Sequence, residues 1–188
     1  MYGLVNQALE EVIRERGGDA AWEDVRRRAA IEPVVFISNR GYPDELTYAM
    51  VGAASEVLGV PAAELLIAFG EHWVLSTATR HYGSLLDAAG RDLRDFLRHL
   101  PNLHVRVSLV YPELIPPRFR VLEEGPSFLR LAYSSHRAGL APFVVGLLRG
   151  LAKRFGEPIR IEQVAERGPG VAEDVFVLHW TEAPDALA

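Results

Sequence analysis

The hydrophobic period of this chain changes once, near Tyr111, and that change limits what it can fold into. Before it, apolar residues recur every three to four positions, the mark of helices with one buried face. Leu4, Val5, Ala8, Leu9, Val12 and Ile13 form the first such face, closed by Gly17-Gly18. Ala21 to Ala30 predicts a second, more charged helix ending ahead of Pro33. Asp44 to Leu58 predicts a third, with Asp44 placed to cap it and Gly59 to end it. A fourth opens with Pro61 in its first turn and runs to about Thr77. The fifth stretch, Arg91 to Val110, is expected to break near Pro101-Asn102, and Val34 to Ser38 reads as a loop or brief strand.

After Tyr111 a two-residue alternation takes over. Phe119 to Glu123 and Phe128 to Ser135 predict strands joined at Gly125-Pro126. Ile159 to Glu166 and Val175 to Trp180 predict a second pair, turned at Gly168-Pro169-Gly170, with a helix from Leu140 to Phe155 in between. Two hairpins around one helix imply an α+β fold: a helical N-terminal lobe, then a lobe of roughly four antiparallel strands with one helix packed near them. With 188 residues the chain is read as one domain, 1–188, whose helical lobe covers about 1–60 and whose remainder covers about 61–188. The tail after Trp180 is too short for a second domain.

Composition removes several classes of function. Cysteine is absent, which excludes a disulfide scaffold, a zinc finger, an iron–sulfur cluster and thiolate-ligated haem. A net charge of −5 argues against nucleic acid as the main partner. Glu10 and Glu11 stand where a signal peptide would be apolar, and apolar runs such as Leu140 to Leu148 fall well short of the ~18–20 residues needed to span a bilayer, so a cytoplasmic protein is expected. Of the 20 basic residues, 19 are Arg, as a GC-rich genome would also produce.

Catalytic motifs are missing. There is no HExxH, GxSxG, GxGxxG or Walker loop, and the single Lys, Lys153, has no glycine directly before it. His99 and His104 are five apart, about 140° around a helix, so they cannot share one metal. What remains is His104 alone among apolar residues in Asn102-Leu103-His104-Val105-Arg106-Val107, a pattern that usually marks an ordinary core or surface histidine. A second feature is Tyr133-Ser134-Ser135-His136-Arg137. Its Tyr133, Ser135 and Arg137 alternate, so they line one face of a strand end about 6.6 Å apart and suit a ligand with two carboxylates. By spacing alone, a solvated strand face accounts for them more readily. Pro116-Pro117 is the third feature, otherwise a stiff linker between lobes.

Taken in order, the opening MYGLVN, then VGAASEVLG, LLIAFGEHW, NLHVRV, the Pro-Pro pair, YxSxR and GLAPFVVGLLRG, these segments resemble one family along essentially the whole chain. It is the haem nitric oxide/oxygen binding (H-NOX) domain, related to the sensor domain of soluble guanylate cyclase, and the likeness is greatest to stand-alone bacterial members of the cyanobacterial type. The resemblance implies two lobes clasping haem b, with the region from about residue 61 onward in contact with it. It implies His104 as the iron ligand, Tyr133, Ser135 and Arg137 at the propionates, and Pro117 pressed on the porphyrin. Val5, Trp73, Phe143 and Leu147 would then surround the gas, with Gly146 and Gly150 allowing a close helix approach or serving packing alone. Oxygen-binding members carry a Tyr where Phe143 stands, and Phe143 has no hydroxyl to hold polarised O₂. The resemblance therefore implies a sensor of NO and CO that excludes O₂. It would signal by rupture of the iron–histidine bond to a separate effector, a histidine kinase or cyclic-dinucleotide enzyme, without being an enzyme itself. Two other readings are a haem-free module for an apolar carboxylate ligand, and a haem enzyme such as a peroxidase, which the apolar distal set disfavours.

Overall fold

The computed structural model describes residues 1–31, 35–111 and 113–181. Six α-helices and one π-helix precede or interrupt a single four-stranded sheet, and their order follows the change of period. The α-helices are α1 (Gly3–Arg28), α2 (Asp44–Leu58), α3 (Ala62–His72), α4 (Thr79–Asp87), α5 (Leu93–Val110) and α6 (Ala141–Phe155). A π-helix, Trp73–Ala78, joins α3 directly to α4. The strands are β1 (Arg118–Glu124), β2 (Phe128–Ser134), β3 (Ile159–Ala165) and β4 (Asp174–Trp180), antiparallel throughout in the order β1-β2-β4-β3. Both expected hairpins are present, and the helix between them lies on the sheet through Val144, Leu148, Leu151 and Ala152. No single described helix is long and apolar enough to cross a membrane.

Gly18 separates the first two helical stretches as expected: its φ of 73° lies in the left-handed region that glycine tolerates best, and α1 is two helices meeting there at a kink. Three local expectations are corrected. Pro61 precedes α3 as its N-cap and is not in its first turn. α5 runs through Pro101 without a break, because a single missing N–H costs one hydrogen bond while Leu97, Leu100 and Leu103 on the same helix are buried against the core. Asp44 does not cap α2; the N-cap is Pro43, and the Asp44 carboxylate is engaged elsewhere. Pro33 and Val34, expected at a helix stop and at the start of a loop or brief strand, lie outside the described residues, as do residues 182–188 of the expected tail. From Val35 to Ile37 the chain has no regular structure.

Two buried cores result. One gathers α1, α2 and α3 around Leu9, Ile13, Met50, Leu65 and Phe69. The other gathers α5, α6 and the sheet around Phe96, Leu97, Leu129, Leu131, Leu148 and Phe176. Where α3 crosses α6 the backbones touch. A Cβ on Gly70 would sit 2.2 Å from the Phe143 carbonyl oxygen, and one on Gly146 would sit 2.1 Å from that of Ile67. Only residues without a side chain permit that approach, so for Gly146 the close helix approach is the role that the structure shows.

Candidate functional site

Between the cores lies a cavity of about 820 Å³, in the size range of sites that bury a small ligand or cofactor. The nine residues that the resemblance assigns to cofactor and gas line it: His104, Pro117, Tyr133, Ser135 and Arg137, together with Val5, Trp73, Phe143 and Leu147.

His104 is carried by α5, directly after the buried Leu103 and one turn ahead of Ser108, whose hydroxyl donates to the His104 carbonyl at 2.9 Å. Its ring stands 5.9 Å from that of Phe119 on β1. Burial pushes the imidazole pKa down to about 4, against a backbone hydrogen bond with Pro117 that pulls it upward. Pro117 has no N–H, so the ring must donate to its carbonyl, and that choice fixes the tautomer. At neutral pH His104 is therefore an uncharged imidazole with one nitrogen occupied and the other's lone pair available, the state a metal-ligating histidine needs.

The polar end of the cavity is built by the segment leaving β2. The strand stops at Ser134, one residue earlier than predicted, yet Tyr133, Ser135 and Arg137 still line the cavity together. Tyr133 is 3% exposed. Burial raises its pKa, and a hydrogen bond with the Ser135 side chain offsets part of that rise, so the phenol keeps its proton and can donate. Arg137 forms a two-pronged bond with Asp44, Nε to Oδ2 at 2.8 Å and Nη2 to Oδ1 at 3.2 Å. The Met1 ammonium donates to the same carboxylate at 2.6 Å. Burial pushes the Asp44 pKa up, but the hydrogen bonds and charges of the ammonium and Arg137 outweigh it and hold the carboxyl below its usual range.

The remaining wall is apolar. Phe143 packs on Phe69 with ring centres 4.8 Å apart, and Val5 and Trp73 pack with it against the first core. Sequence reasoning missed two phenols on this cavity, Tyr82 and Tyr111. Tyr82 and Tyr111 share a hydrogen bond of 2.5 Å, and the Tyr2 ring meets Tyr111 edge-on at 4.8 Å. Tyr111 lies seven residues beyond His104, just past the end of α5, a spacing that keeps it near the same helical face and could have flagged it. Tyr82 gave no such signal, because its backbone leaves helical geometry inside α4. The arrangement can hold a flat, largely apolar molecule that offers a metal to His104 and carboxylates to Tyr133, Ser135 and Arg137.

Comparison with known proteins agrees with that chemistry. A model of the family described as "Haem-NO-binding" matches residues 2–163. The soluble guanylate cyclase gcy-31 of Caenorhabditis elegans is 28% identical over 155 residues, which are 82% of this chain and 22% of that protein. A second, gcy-35 of the same organism, is 29% identical over 89% of this chain and 25% of its own length. The chain thus spans about a fifth of the curated relatives it matches. Among solved structures, an Fe(II) H-NOX protein from S. oneidensis superposes with a TM-score of 0.88 at 22% identity, covering 100% of both chains. An unliganded Fe(II) H-NOX variant from K. algicida gives 0.80 at 24% identity over 97% of each.

Proposed function

The chain belongs to the haem-NO-binding (H-NOX) family of haem-based gas sensors, and from that premise we propose that it holds haem b through His104, binds NO and CO, and excludes O₂. The observation that carries this reading is a shared cavity. The neutral His104 and the Tyr133–Ser135–Arg137 group, far apart in sequence, line the same space, so one ligand can meet both.

The residues fit the group the family binds. His104 would hold the iron, its ring orientation set by the Pro117 carbonyl. Tyr133, Ser135 and Arg137 would hold the two propionates, and Pro117 would press on the ring. The iron would supply the binding position for the gas, and Val5, Trp73, Phe143 and Leu147 would keep water from it. Phe143 offers no proton there. A polarised O₂ would lack the donor it requires, while NO and CO depend less on one. Release of His104 when NO binds would free α5 from the cofactor and pass the signal on. The effector is proposed to be a histidine kinase or a cyclic-dinucleotide enzyme, with the domain acting as a cytoplasmic sensor and not as a catalyst. The helical lobe would cover about 1–60 and lend Val5 to the cavity, and the main haem-contacting part would cover about 61–188.

The test is spectroscopic. The purified protein, reduced anaerobically, should show a five-coordinate ferrous Soret band that shifts with NO and with CO and yields no stable oxygen complex in air. A persistent split oxy spectrum would mean that a donor such as the Trp73 indole reaches the gas, and would overturn the exclusion of O₂. A colourless protein that takes up no haem would favour the haem-free carboxylate-binding module.

A further inference from the structure

We propose that Arg167 is a positioning residue for the carboxylate end of the cavity, a role that rests on the haem reading above. Arg167 stands between β3 and β4, beyond residue 163 where the family match stops, and it does not line the cavity. It works from behind. Its Nη1 donates to the Ser135 carbonyl and its Nη2 to the Arg137 carbonyl, the latter at 2.8 Å. One planar fork therefore clamps both ends of the turn whose side chains, Ser135 and Arg137, face the ligand.

The clamp is itself anchored. The Arg167 backbone N–H donates to Asp174 Oδ1 at 3.0 Å, and Gln163 Nε2 donates to the same oxygen at 3.0 Å. Asp174 opens β4, is 5% exposed, and sits opposite Tyr133 in the β2–β4 register. A buried carboxylate thus fixes the Arg167 loop, the loop fixes two carbonyls, and their residues present a hydroxyl and a guanidinium to the cavity. Charge adds to this. The Arg137 guanidinium is already paired with Asp44, whereas Arg167 meets no carboxylate within ion-pair distance among the described residues. A positive charge with no ion-pair partner among the described residues thus lies behind the segment that would receive two propionates.

The experiment compares the protein, Arg167→Ala and Arg167→Lys, each loaded with haem b or with its dimethyl ester, which has the same ring but no free carboxylates. The rate of cofactor transfer to excess apomyoglobin is the readout. Arg167→Ala should speed release of the free acid by about tenfold, the loss of roughly one charge-assisted hydrogen bond, and leave release of the ester nearly unchanged. Arg167→Lys should recover only part of that loss, because an ammonium on a flexible stem keeps the charge but cannot bridge two carbonyls. Three results would overturn the role: a free-acid rate equal to wild type in Arg167→Ala, equal acceleration for both cofactors, or full rescue by lysine. A wild-type protein that takes up neither form would instead overturn the haem reading, and this role with it.

Discussion

The two helical walls of the cavity are held in opposite ways. At the α3–α6 wall, Gly70 and Gly146 bring backbone against backbone, and a Cβ on Gly150 would already meet the Val74 side chain at 2.8 Å. α5 is held on one face only. Leu97, Leu100 and Leu103 are buried, while Val105, Leu109 and Val110 are 64%, 81% and 70% exposed. His104 sits on this second helix, and Phe143 and Leu147 on the first. The contrast teaches where a ligand can do mechanical work. Pulling α6 from α3 means unpacking two backbones, whereas α5 gives up only one apolar seam. The proposed iron ligand is on the wall that costs less to move.

Three measurements would break or sharpen that contrast. The largest effect is expected at His104. In His104→Gly the ferrous iron–histidine stretch in resonance Raman should vanish and return with added imidazole, while Phe143→Leu on the other wall should keep it. Retention of the stretch in His104→Gly would remove α5 from the mechanism. Next comes the glycine crossing. Gly146→Ala should destabilise the fold by about 1–3 kcal/mol in urea unfolding, because the new methyl meets only main chain, the Ile67 carbonyl and the Gly70 Cα, and no flexible side chain that could yield. A neutral result would mean that the α3–α6 wall yields as easily as α5. The smallest effect belongs to the outer face of α5. Val105→Ser and Leu109→Ser should each change stability by less than about 0.5 kcal/mol, as exposed substitutions usually do. A loss above about 1 kcal/mol, large for a surface site, would show that this face is packed after all.

Much of this architecture could be read from residue order. The strands and α6 fall within a residue or two of their expected ends, because a period of two and flanking glycines are local signals. The residues proposed for the haem site were singled out partly by alternation, as with Tyr133, Ser135 and Arg137, and partly by family resemblance, as with His104 and Phe143. What escaped depends on distant partners. Asp44 looks like a cap from its neighbours alone, since nothing nearby shows that Arg137 will claim its carboxylate. Arg167 was invisible for a related reason: its partners are main-chain carbonyls, which every residue possesses and no sequence marks. Pro101 misled because propensity gives way when the surrounding helix has a buried face to satisfy.

The π-helix between α3 and α4 has a consequence of another kind. Trp73 and Ala78, five residues apart, both line the cavity, whereas in an α-helix they would point about 140° apart. The extra residue that a π turn holds leaves the chain beyond it close to the direction that an α-helix one residue shorter would give it. Winding the same residues into α geometry would instead turn everything after them by most of one residue's ~100° step relative to α3, carrying Tyr82 and Leu85 off the cavity. This part of the wall depends on one loosened turn, so a change that tightened it without removing a residue would rewrite the pocket.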